Sequence, residues 1–334
     1  MIEGRSMTFK IIVTYRIDEE GLKLLKSIGD VFISEKMITS EDELIKNISD
    51  TDAVLAVRGV EPFTRRVLES APKLKIIARH GVGYDKIDVN AANELGIWVT
   101  IAPVNASTVA EHTIALIMAL AKKLFKLDRF VRDGVWYKER MEFPDLLGID
   151  LAGRVLGIIG LGRIGQEVAK RALALGMKVI YYDIVRREDL ERTWNIEYRS
   201  LNELLRTSDF VSIHVPLTNE TYHMIGEKEL RLMKPTAYLV NTARGAVIDT
   251  DALVKALKEG WIAGAGLDVF EEEPLPPNHP LTKLDNVILT PHAASLTIEC
   301  RRRLAITAAE EIIRVLRGGE PRYPVNRPLN PRRV

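Results

Sequence analysis

The sequence predicts two α/β domains, each built on a doubly wound parallel sheet, and three observations carry this prediction. Short apolar runs rich in Val and Ile alternate with amphipathic segments along most of the chain. The 334 residues are many for one compact domain and comfortable for two. The apolar runs are continuous rather than alternating, which is typical of parallel strands covered by helices on both faces.

The predicted elements form two series along the chain. Strands of the first series are predicted at 10–14, 53–57, 74–78 and 97–100. Strands of the second series are predicted at 155–159, 178–182, 210–215, 237–241, 264–268 and 286–289. Long helices are predicted at 107–127, between the two series, and at 297–316, after the second. The tail from Gly318 onward contains four prolines, so we expect it to be loosely ordered.

The composition argues against several kinds of partner. Lys plus Arg number 47 and Asp plus Glu number 46, so the formal charge of +1 gives no general attraction to nucleic acid or to an anionic membrane. No apolar stretch approaches the ~20 residues that span a bilayer. The single cysteine, Cys300, allows no intrachain disulfide, which fits a cytoplasmic protein. The six histidines have no recognisable metal-binding spacing, so no metal is expected.

A glycine-rich turn, Gly160-Leu161-Gly162-Arg163-Ile164-Gly165, follows the predicted strand 155–159 and opens a helix. The G-x-G-x-x-G pattern alone is a weak signal, but this context is that of a dinucleotide-binding turn. The first glycine allows the tight turn, the second lets the backbone approach a pyrophosphate, and the third permits close packing of helix on strand. The helix N-terminus also favours the negative charge of a pyrophosphate. The alternative is a purely structural turn.

An acidic residue stands where such a site needs one. Asp183 ends the predicted strand 178–182, about 20 residues beyond the first glycine, where a carboxylate binds the ribose hydroxyls of the adenosine. A carboxylate there repels a 2′-phosphate, which favours NAD over NADP. Arg186 and Arg187 follow closely and weaken that preference. The alternative for Asp183 is a helix-capping role.

Three further segments place charged or titratable residues just beyond predicted strand ends, at the edge of an open α/β sheet where ligands bind. They are Asn241-Thr242-Ala243-Arg244-Gly245, Gly266-Leu267-Asp268-Val269-Phe270-Glu271-Glu272-Glu273-Pro274 and Leu289-Thr290-Pro291-His292. Taken singly, such residues are more often surface cations, solvated acids and loop histidines. In this order and spacing behind the glycine turn, the segments resemble the D-isomer-specific 2-hydroxyacid dehydrogenase family. The resemblance covers essentially the whole native chain.

The resemblance implies a catalytic triad of Arg244, Glu273 and His292. In the family's reaction, hydride reaches the carbonyl carbon of a 2-oxo acid, and a protonated histidine supplies the proton to its oxygen as general acid. Glu273 is expected to orient the imidazole, and Arg244 to bind the substrate carboxylate and carbonyl oxygen with its fork of N–H groups. The candidates are 3-phosphoglycerate dehydrogenase and glyoxylate/hydroxypyruvate reductase, and the sequence does not choose between them.

The resemblance also implies NAD as the cofactor, with NADP less favoured. The predicted cofactor-binding residues are Thr108, Gly160, Leu161, Gly162, Arg163, Ile164, Gly165, Asp183, His214, Val215, Pro216, Thr242, Ala243, Asp268 and Ala294. The predicted substrate-binding residues follow strands of the first series and are Arg58, His80, Val82 and Gly83. The alternative for Arg58 is a surface role, and the alternative for Thr108 is helix capping. Gly83 and its neighbour Gly81 can instead have a purely conformational role.

By the same resemblance, a Rossmann NAD-binding domain at 105–294 is inserted into a discontinuous, flavodoxin-like substrate domain at 7–104 and 295–334. Residues 1–6 contain Ile-Glu-Gly-Arg, which looks like the remnant of an expression tag at a protease site, so we expect the native chain to begin at Met7. The resemblance also implies a homodimer, assembled through the long linking helix and the C-terminal arm. We expect neither nucleic acid nor a membrane as a partner.

Two alternatives to this enzyme remain open. An NAD-sensing protein on the same fold, such as a transcriptional corepressor, can keep the same arginine, glutamate and histidine without turnover. Against it, the sequence shows no long interaction arms of disordered composition. Formate dehydrogenase, in the same superfamily, has a glutamine where this sequence has Glu273, which argues against that activity.

Overall fold

The computed structural model describes residues 8–138 and 146–333, so the predicted tag remnant at 1–6 lies outside the described residues. The chain separates into two compact units, Met1–Asn105 with Leu296–Val334, and Ala106–Ser295. Each unit contains one parallel sheet with helices packed against it. The predicted fold class, two parallel-sheet α/β domains, is confirmed.

The first unit is built on a five-stranded sheet. Its strands are β1 (Phe9–Val13), β2 (Gly29–Ile33), β3 (Ala53–Ala56), β4 (Ile76–Arg79) and β5 (Trp98–Thr100). Its helices are α1 (Glu19–Lys26), α2 (Glu41–Ile48), α3 (Arg65–Glu69), α4 (Val89–Glu94) and α13 (Ile298–Leu316). The strand order is β2-β1-β3-β4-β5, which is the flavodoxin-like order. The central strands β3 and β4 are buried along their whole length because helices cover both faces, α1 with α13 on one and α2 to α4 on the other.

The second unit is built on a seven-stranded sheet. Its strands are β6 (Val155–Ile159), β7 (Lys178–Tyr182), β8 (Glu197–Tyr198), β9 (Phe210–Ile213), β10 (Tyr238–Asn241), β11 (Gly264–Leu267) and β12 (Val287–Leu289). Its helices are α5 (Ala106–Ala121), α6 (Leu124–Arg132), α7 (Val135–Lys138), α8 (Arg163–Ala174), α9 (Glu188–Trp194), α10 (Leu201–Thr207), α11 (Glu227–Leu230) and α12 (Thr250–Glu259). The order β12-β11-β10-β9-β6-β7-β8 is of the Rossmann type. Strand order reverses between β6 and β9, and ligands bind beyond the carboxyl ends of the strands at such a point.

The prediction of one continuous helix over 107–127 is wrong. Helix α5 ends at Ala121, and Lys123 adopts a left-handed backbone conformation with φ of 51° before α6 begins. The free carbonyl of Ala121 accepts a hydrogen bond from the backbone N–H of Ile149 at 2.8 Å. The chain beyond residue 145 therefore caps α5, and this long-range contact leaves no pattern in the local sequence.

The expectation of a loosely ordered tail is also wrong. The side chain of Asn326 accepts a hydrogen bond from the backbone N–H of Val99 at 2.8 Å and donates one to the carbonyl of Ile97 at 2.9 Å. The guanidinium of Arg332 donates to the carbonyls of Ala71 at 2.6 Å and Leu74 at 3.0 Å. The proline-rich tail is thus fastened to β5 and to the loop before β4, because its polar side chains satisfy backbone groups there.

The first unit also contains one strand that the apolar pattern does not predict. Strand β2 pairs in parallel with β1 over all five of its residues, at the edge of the sheet. Two of these five residues are half-buried and three are exposed, Phe32 and Ile33 among them. An edge strand that is covered so little does not need a continuous apolar run, which explains why its sequence is inconspicuous.

Candidate active site

The glycine turn lies at the carboxyl end of β6, where the Rossmann sheet changes direction. Gly160 has φ of 93°, and a Cβ there would lie 2.9 Å from the carbonyl carbon of His214. A Cβ on Gly165 would lie 2.1 Å from the carbonyl oxygen of Gly160, so helix α8 packs against the turn only because this residue is glycine. Gly162 is exposed and caps α8, and a Cβ there would meet no described atom within 4 Å.

The turn therefore offers an open backbone surface at the start of a twelve-residue helix. Arg163, the first residue of α8, is also exposed, whereas Leu161 is buried and Ile164 packs against the core of the unit. Unpaired N–H groups at a helix N-terminus bind anions, and open space at the second glycine is what a pyrophosphate requires. The local geometry fits a dinucleotide cofactor.

Asp183 follows β7 and faces the glycine turn. Its Oδ2 accepts a hydrogen bond from the backbone N–H of Leu161 at 2.7 Å, and its Oδ1 accepts one from Val185 at 3.0 Å. The carboxylate is half-buried, so it is held in place and still partly accessible. That is the position in which an acid binds the ribose hydroxyls of a dinucleotide.

His214, Val215 and Pro216 follow β9 on the other side of the turn. The Nε2 atom of His214 lies 2.8 Å from the hydroxyl of Ser212, and its Nδ1 is buried without a hydrogen-bond partner among the described residues. Burial lowers the pKa of His214 to about 3, so the ring is neutral at physiological pH. A neutral histidine beside the glycine turn suits a wall of the predicted cofactor site rather than a proton donor.

Glu273 and His292 are hydrogen-bonded to each other at the carboxyl edge of the same sheet. The Nδ1 atom of His292 lies 2.8 Å from Oε2 of Glu273, and Oε1 of Glu273 accepts from the backbone N–H of Phe270 at 3.0 Å. Burial opposes ionisation of Glu273, but the hydrogen bond to His292 and the charges of His292 and Arg244 outweigh it, so the pKa of this carboxyl lies below its ordinary value. Since the carboxylate only accepts hydrogen bonds, Nδ1 is the protonated nitrogen and Nε2 is the atom left for a ligand.

Arg244 stands in the loop between β10 and α12, and an asparagine shapes this loop. The amide of Asn241 donates to the carbonyl of Arg244 at 2.8 Å, and its oxygen accepts from the N–H of Ala243 at 3.0 Å. The guanidinium of Arg244 donates to the carbonyl of Ala243 at 2.7 Å. Sequence analysis missed this function of Asn241, a buried residue at the end of a strand, because its partners are backbone atoms.

Asp268 lies beneath the loop that carries His292. The Asp268 carboxylate is fully buried, and it accepts hydrogen bonds from the hydroxyl of Thr290 at 2.5 Å and from the backbone N–H groups of Ala293 at 2.8 Å and Ala294 at 2.9 Å. The backbone N–H of His292 donates to the carbonyl of Asp268 at 2.8 Å. Asp268 thus fixes the backbone on both sides of His292, which has φ of 51°. Its predicted contact with the cofactor stays a prediction.

The remaining predicted cofactor residues lie in the second unit as well. Thr108 is buried near the start of α5, and Ala294 is buried with its backbone N–H donating to Asp268. The hydroxyl of Thr242 lies 2.9 Å from that of Thr113, so this threonine joins the Arg244 loop to α5. Ala243 is half-buried. Their cofactor contacts also stay predictions.

The predicted substrate residues lie in the first unit, after β3 and β4. Arg58 is exposed, with its guanidinium carbon 5.9 Å from the centre of the Tyr15 ring. His80 has a buried Nε2 without a hydrogen-bond partner among the described residues, and burial lowers its pKa to about 4. Val82 and Gly83 are half-buried, and the carbonyl of Gly83 accepts from Nε of Arg79 at 2.7 Å. Their roles toward a substrate stay predictions.

A buried glutamate, which sequence analysis missed, organises these two loops. Oε1 and Oε2 of Glu61 accept from the backbone N–H groups of Arg58 at 3.1 Å and Gly59 at 2.7 Å, and the side chain is 1% exposed. A guanidinium nitrogen of Arg79 lies 3.6 Å away. Burial opposes ionisation, but the charge of Arg79 and the hydrogen bond from Thr14 hold the pKa of Glu61 below its ordinary value. The two side chains that hold this carboxylate ionised, Arg79 and Thr14, are distant in sequence, so no local pattern predicts its role.

The described residues show neither a metal cluster nor a membrane span. No group of three or more His, Cys, Asp or Glu residues there is arranged to hold a metal ion. No helix in the described ranges is long and apolar enough to cross a membrane.

Comparison with known proteins gives consistent matches over more than nine-tenths of the chain. The profile of the D-isomer specific 2-hydroxyacid dehydrogenase NAD-binding domain matches residues 114–294. A glyoxylate reductase of Thermofilum pendens is 51% identical over 322 residues, which cover 95% of this chain and 94% of that protein. The crystal structure of a protein from Thermus thermophilus is similar with a TM-score of 0.88 and 40% identity, over 95% of this chain and 100% of that one.

Two further solved structures were determined with cofactors. A D-lactate dehydrogenase of Aquifex aeolicus, complexed with NAD and lactic acid, has a TM-score of 0.82 and 35% identity, over 92% of this chain and 96% of that one. An NADPH-dependent glyoxylate/hydroxypyruvate reductase of Sinorhizobium meliloti, complexed with NADP and malonate, has a TM-score of 0.86 and 31% identity, over 97% and 99% of the two chains.

The Rossmann sheet, the glycine turn and these matches define an NAD(P)-dependent oxidoreductase. Within that class, the chain belongs to the D-isomer specific 2-hydroxyacid dehydrogenase family. The resemblance drawn from the sequence motifs is thereby confirmed.

Proposed function

We propose that this chain is an NADH-dependent reductase of small 2-oxo acids, with glyoxylate and hydroxypyruvate as its substrates. The observation that carries the proposal is the hydrogen bond between His292 and Glu273, 2.8 Å long, at the carboxyl edge of a cofactor-binding sheet. The glyoxylate reductase of Thermofilum pendens, at 51% identity, favours these substrates over 3-phosphoglycerate.

His292 is the proposed general acid. A reduced nicotinamide, when bound, would supply the hydride for the carbonyl carbon. The carbonyl oxygen then gains an electron pair and takes the proton held on Nε2 of His292. Glu273, ionised because its pKa is low, holds Nδ1–H and stabilises the imidazole while it carries the positive charge. In the reverse direction, the same nitrogen removes the hydroxyl proton.

Arg244 is the proposed binding group for the substrate. Its guanidinium donates to the carbonyl of Ala243 at 2.7 Å, which orients the planar fork on the loop after β10. A fixed fork of N–H groups recognises a carboxylate by two parallel hydrogen bonds and stabilises charge on a neighbouring oxygen. In the first unit, the proposed substrate-binding residues are Arg58, His80, Val82 and Gly83.

NAD is the proposed cofactor, with NADP disfavoured. Asp183 stands beyond β7 with its carboxylate fixed by the Leu161 and Val185 N–H groups. A fixed negative charge at that position binds two ribose hydroxyls and repels a 2′-phosphate. The similar solved structures include both an NAD and an NADP complex, so the proposal rests on this chain's own carboxylate.

A spectrophotometric screen tests the reaction. The purified chain is mixed with NADH and, separately, with glyoxylate, hydroxypyruvate, phosphohydroxypyruvate and pyruvate, and the loss of NADH absorbance is followed. We expect the highest kcat/KM with glyoxylate or hydroxypyruvate. If the chain binds NADH but turns over none of the four acids, the NAD-sensing corepressor-like protein becomes the better proposal.

A homodimer is the proposed assembly. Large apolar side chains are exposed along α5, α6 and α7, among them Phe125 at 61% and Tyr137 at 81%. Exposed apolar patches of this kind mark protein interfaces. Sedimentation at micromolar concentration should give the mass of two chains, and a single chain there would contradict the proposal.

A further inference from the structure

Two arginines follow the cofactor acid Asp183 and carry the opposite charge. An arginine near this acid is what accommodates the 2′-phosphate of NADP in dinucleotide-binding folds. Arg186 and Arg187 therefore pose a contradiction, since Asp183 favours NAD while its neighbours favour NADP. The contacts of the two guanidinium groups resolve it.

Arg186 is held by a carboxylate from α9. Its Nε lies 2.9 Å from Oε1 of Glu191 and its Nη2 lies 2.8 Å from Oε2, so both donors of one edge are occupied. The guanidinium carbon also lies 5.6 Å from the centre of the Tyr198 ring. A bidentate pair stacked on an aromatic ring is oriented more strongly than an ordinary surface ion pair.

Glu191 is itself anchored to the core. The hydroxyl of Tyr181 donates to Oε1 of Glu191 at 2.8 Å, and the Tyr181 side chain is fully buried in β7. The hydrogen bond from Arg186 is the main cause that lowers the pKa of Glu191 to about 2. Burial, together with the bond to Glu191, raises the pKa of Tyr181 to about 12, so the phenol stays protonated and keeps donating.

Arg187 is held in a similar way. Its Nε lies 3.1 Å from Oδ1 of Asp189 and its Nη2 lies 3.0 Å from Oδ2. The backbone N–H of Arg187 donates to the hydroxyl of Tyr181 at 2.7 Å. One buried tyrosine therefore fixes both the Arg187 backbone and the carboxylate that holds Arg186.

We propose that Glu191 and Asp189 determine the cofactor preference of this chain, because they occupy the two arginines that would otherwise bind the 2′-phosphate of NADPH. Asp183 repels the phosphate. The Glu191 and Asp189 carboxylates bind the two guanidinium groups that would otherwise offset that repulsion. The proposal rests on the proposed NAD site. It concerns cofactor binding alone, and can be tested without turnover.

The test measures binding to the intact chain by calorimetry. Dissociation constants are determined for NADH and NADPH, and for the fragments ADP and 2′,5′-ADP, which isolate the ribose end of the site. The variants are Glu191→Gln, Asp189→Asn and the double variant. Tyr181→Phe removes the anchoring hydroxyl and keeps the ring. Glu188→Gln is the matched control, because Glu188 is an exposed acid in the same first turn that forms no ion pair within the described ranges.

We expect the wild-type chain to bind NADH more tightly than NADPH. In the double variant, the ratio of the NADPH to the NADH dissociation constant should fall about tenfold, the size of a charge-assisted hydrogen bond. The fragments should follow the same change, and Tyr181→Phe should shift the ratio less in the same direction. Glu188→Gln should leave the ratio of the two dissociation constants unchanged.

An unchanged ratio in the double variant would overturn the proposal, and so would an equal fall in Glu188→Gln, which would indicate a general effect of charge. A wild-type chain that prefers NADPH would overturn both this proposal and the assignment of NAD. A chain that binds NADH preferentially but reduces no 2-oxo acid would overturn only the proposed reaction.

Discussion

Nδ1 of His292 lies 2.8 Å from Oε2 of Glu273, and the second oxygen of the same carboxylate accepts the backbone N–H of Phe270 at 3.0 Å. Both oxygens of Glu273 are therefore engaged, one by the histidine and one by the loop after β11. The imidazole has only one orientation that keeps this bond, and it directs Nε2 away from the glutamate.

The first prediction concerns Glu273→Gln. The amide still accepts from Nδ1–H, but it carries no charge to stabilise a protonated imidazole. The pH above which kcat for reduction declines should therefore be lower in this variant than in the wild type. At neutral pH, kcat should fall by about tenfold to a hundredfold. The pH dependence of kcat tests this.

The neighbouring variant Glu272→Gln is the control for that measurement, because it removes the same charge from an exposed residue. This control variant should have the same pH profile of kcat as the wild type. A Glu273→Gln profile that coincides with it would mean that the glutamate does not act through His292.

The second prediction concerns Arg244. Arg244→Lys keeps the charge but loses the planar fork, and Arg244→Ala loses both. We expect kcat/KM for glyoxylate to fall in both, by about a hundredfold or more in the alanine variant. The dissociation constant of NADH should change little in either. A large loss of NADH binding with kcat preserved would place Arg244 in the cofactor site instead.

The third prediction separates two roles for Asp268. If its carboxylate mainly fixes the His292 loop, Asp268→Asn should lower kcat strongly and leave NADH binding within about twofold. Thr290→Val removes one of the hydrogen bonds to this carboxylate. It should lower kcat less than Asp268→Asn does and should also leave NADH binding nearly unchanged. If Asp268 contacts the cofactor directly, the NADH dissociation constant should rise in Asp268→Asn and stay normal in Thr290→Val.

The fourth prediction concerns the buried Glu61. Glu61→Gln leaves the Arg79 charge without its buried partner, so the free energy of unfolding should fall by about 3 kcal/mol at neutral pH. Glu69→Gln removes an exposed ion pair with Arg65 in the same unit and should lower the free energy of unfolding much less. Urea denaturation compares them. Equal stabilities of the two variants would contradict the role given to Glu61.

The same carboxylate predicts a pH dependence of stability. Its folded pKa lies below the unfolded value, so its contribution is complete above the unfolded pKa of about 4.3 and is lost as pH falls through the folded one. Wild-type stability should therefore decline more steeply below about pH 4 than that of Glu61→Gln. Parallel declines would contradict a lowered pKa of Glu61 in the folded chain.

The sequence predicted those features whose physical causes are local. Gly160 and Gly165 are required by a positive φ and by a close backbone approach within one turn, so the pattern itself carries the geometry. The strands of the two sheet centres are buried on both faces and appear as apolar runs. The order of Arg244, Glu273 and His292 was recognisable because each follows a strand end.

The features that the sequence did not predict depend on partners that only the fold brings together. Glu61 and Thr14 meet across neighbouring strands, and Asn326 satisfies backbone groups near Val99 from the opposite end of the chain. Glu191 looks like a solvated acid in an amphipathic helix until the buried hydroxyl of Tyr181 is placed beside it. Polar contacts of this kind leave no periodic pattern and no signal in the composition.

The most direct test of the central proposal compares wild type with His292→Asn in the reduction of glyoxylate by NADH. Asparagine keeps a hydrogen-bonding side chain but supplies no proton at this site. We expect stoichiometric loss of NADH with glyoxylate in the wild type, a fall in kcat of about a hundredfold to ten-thousandfold in the variant, and similar NADH dissociation constants for both. A variant with the wild-type kcat would contradict the role of His292 as general acid.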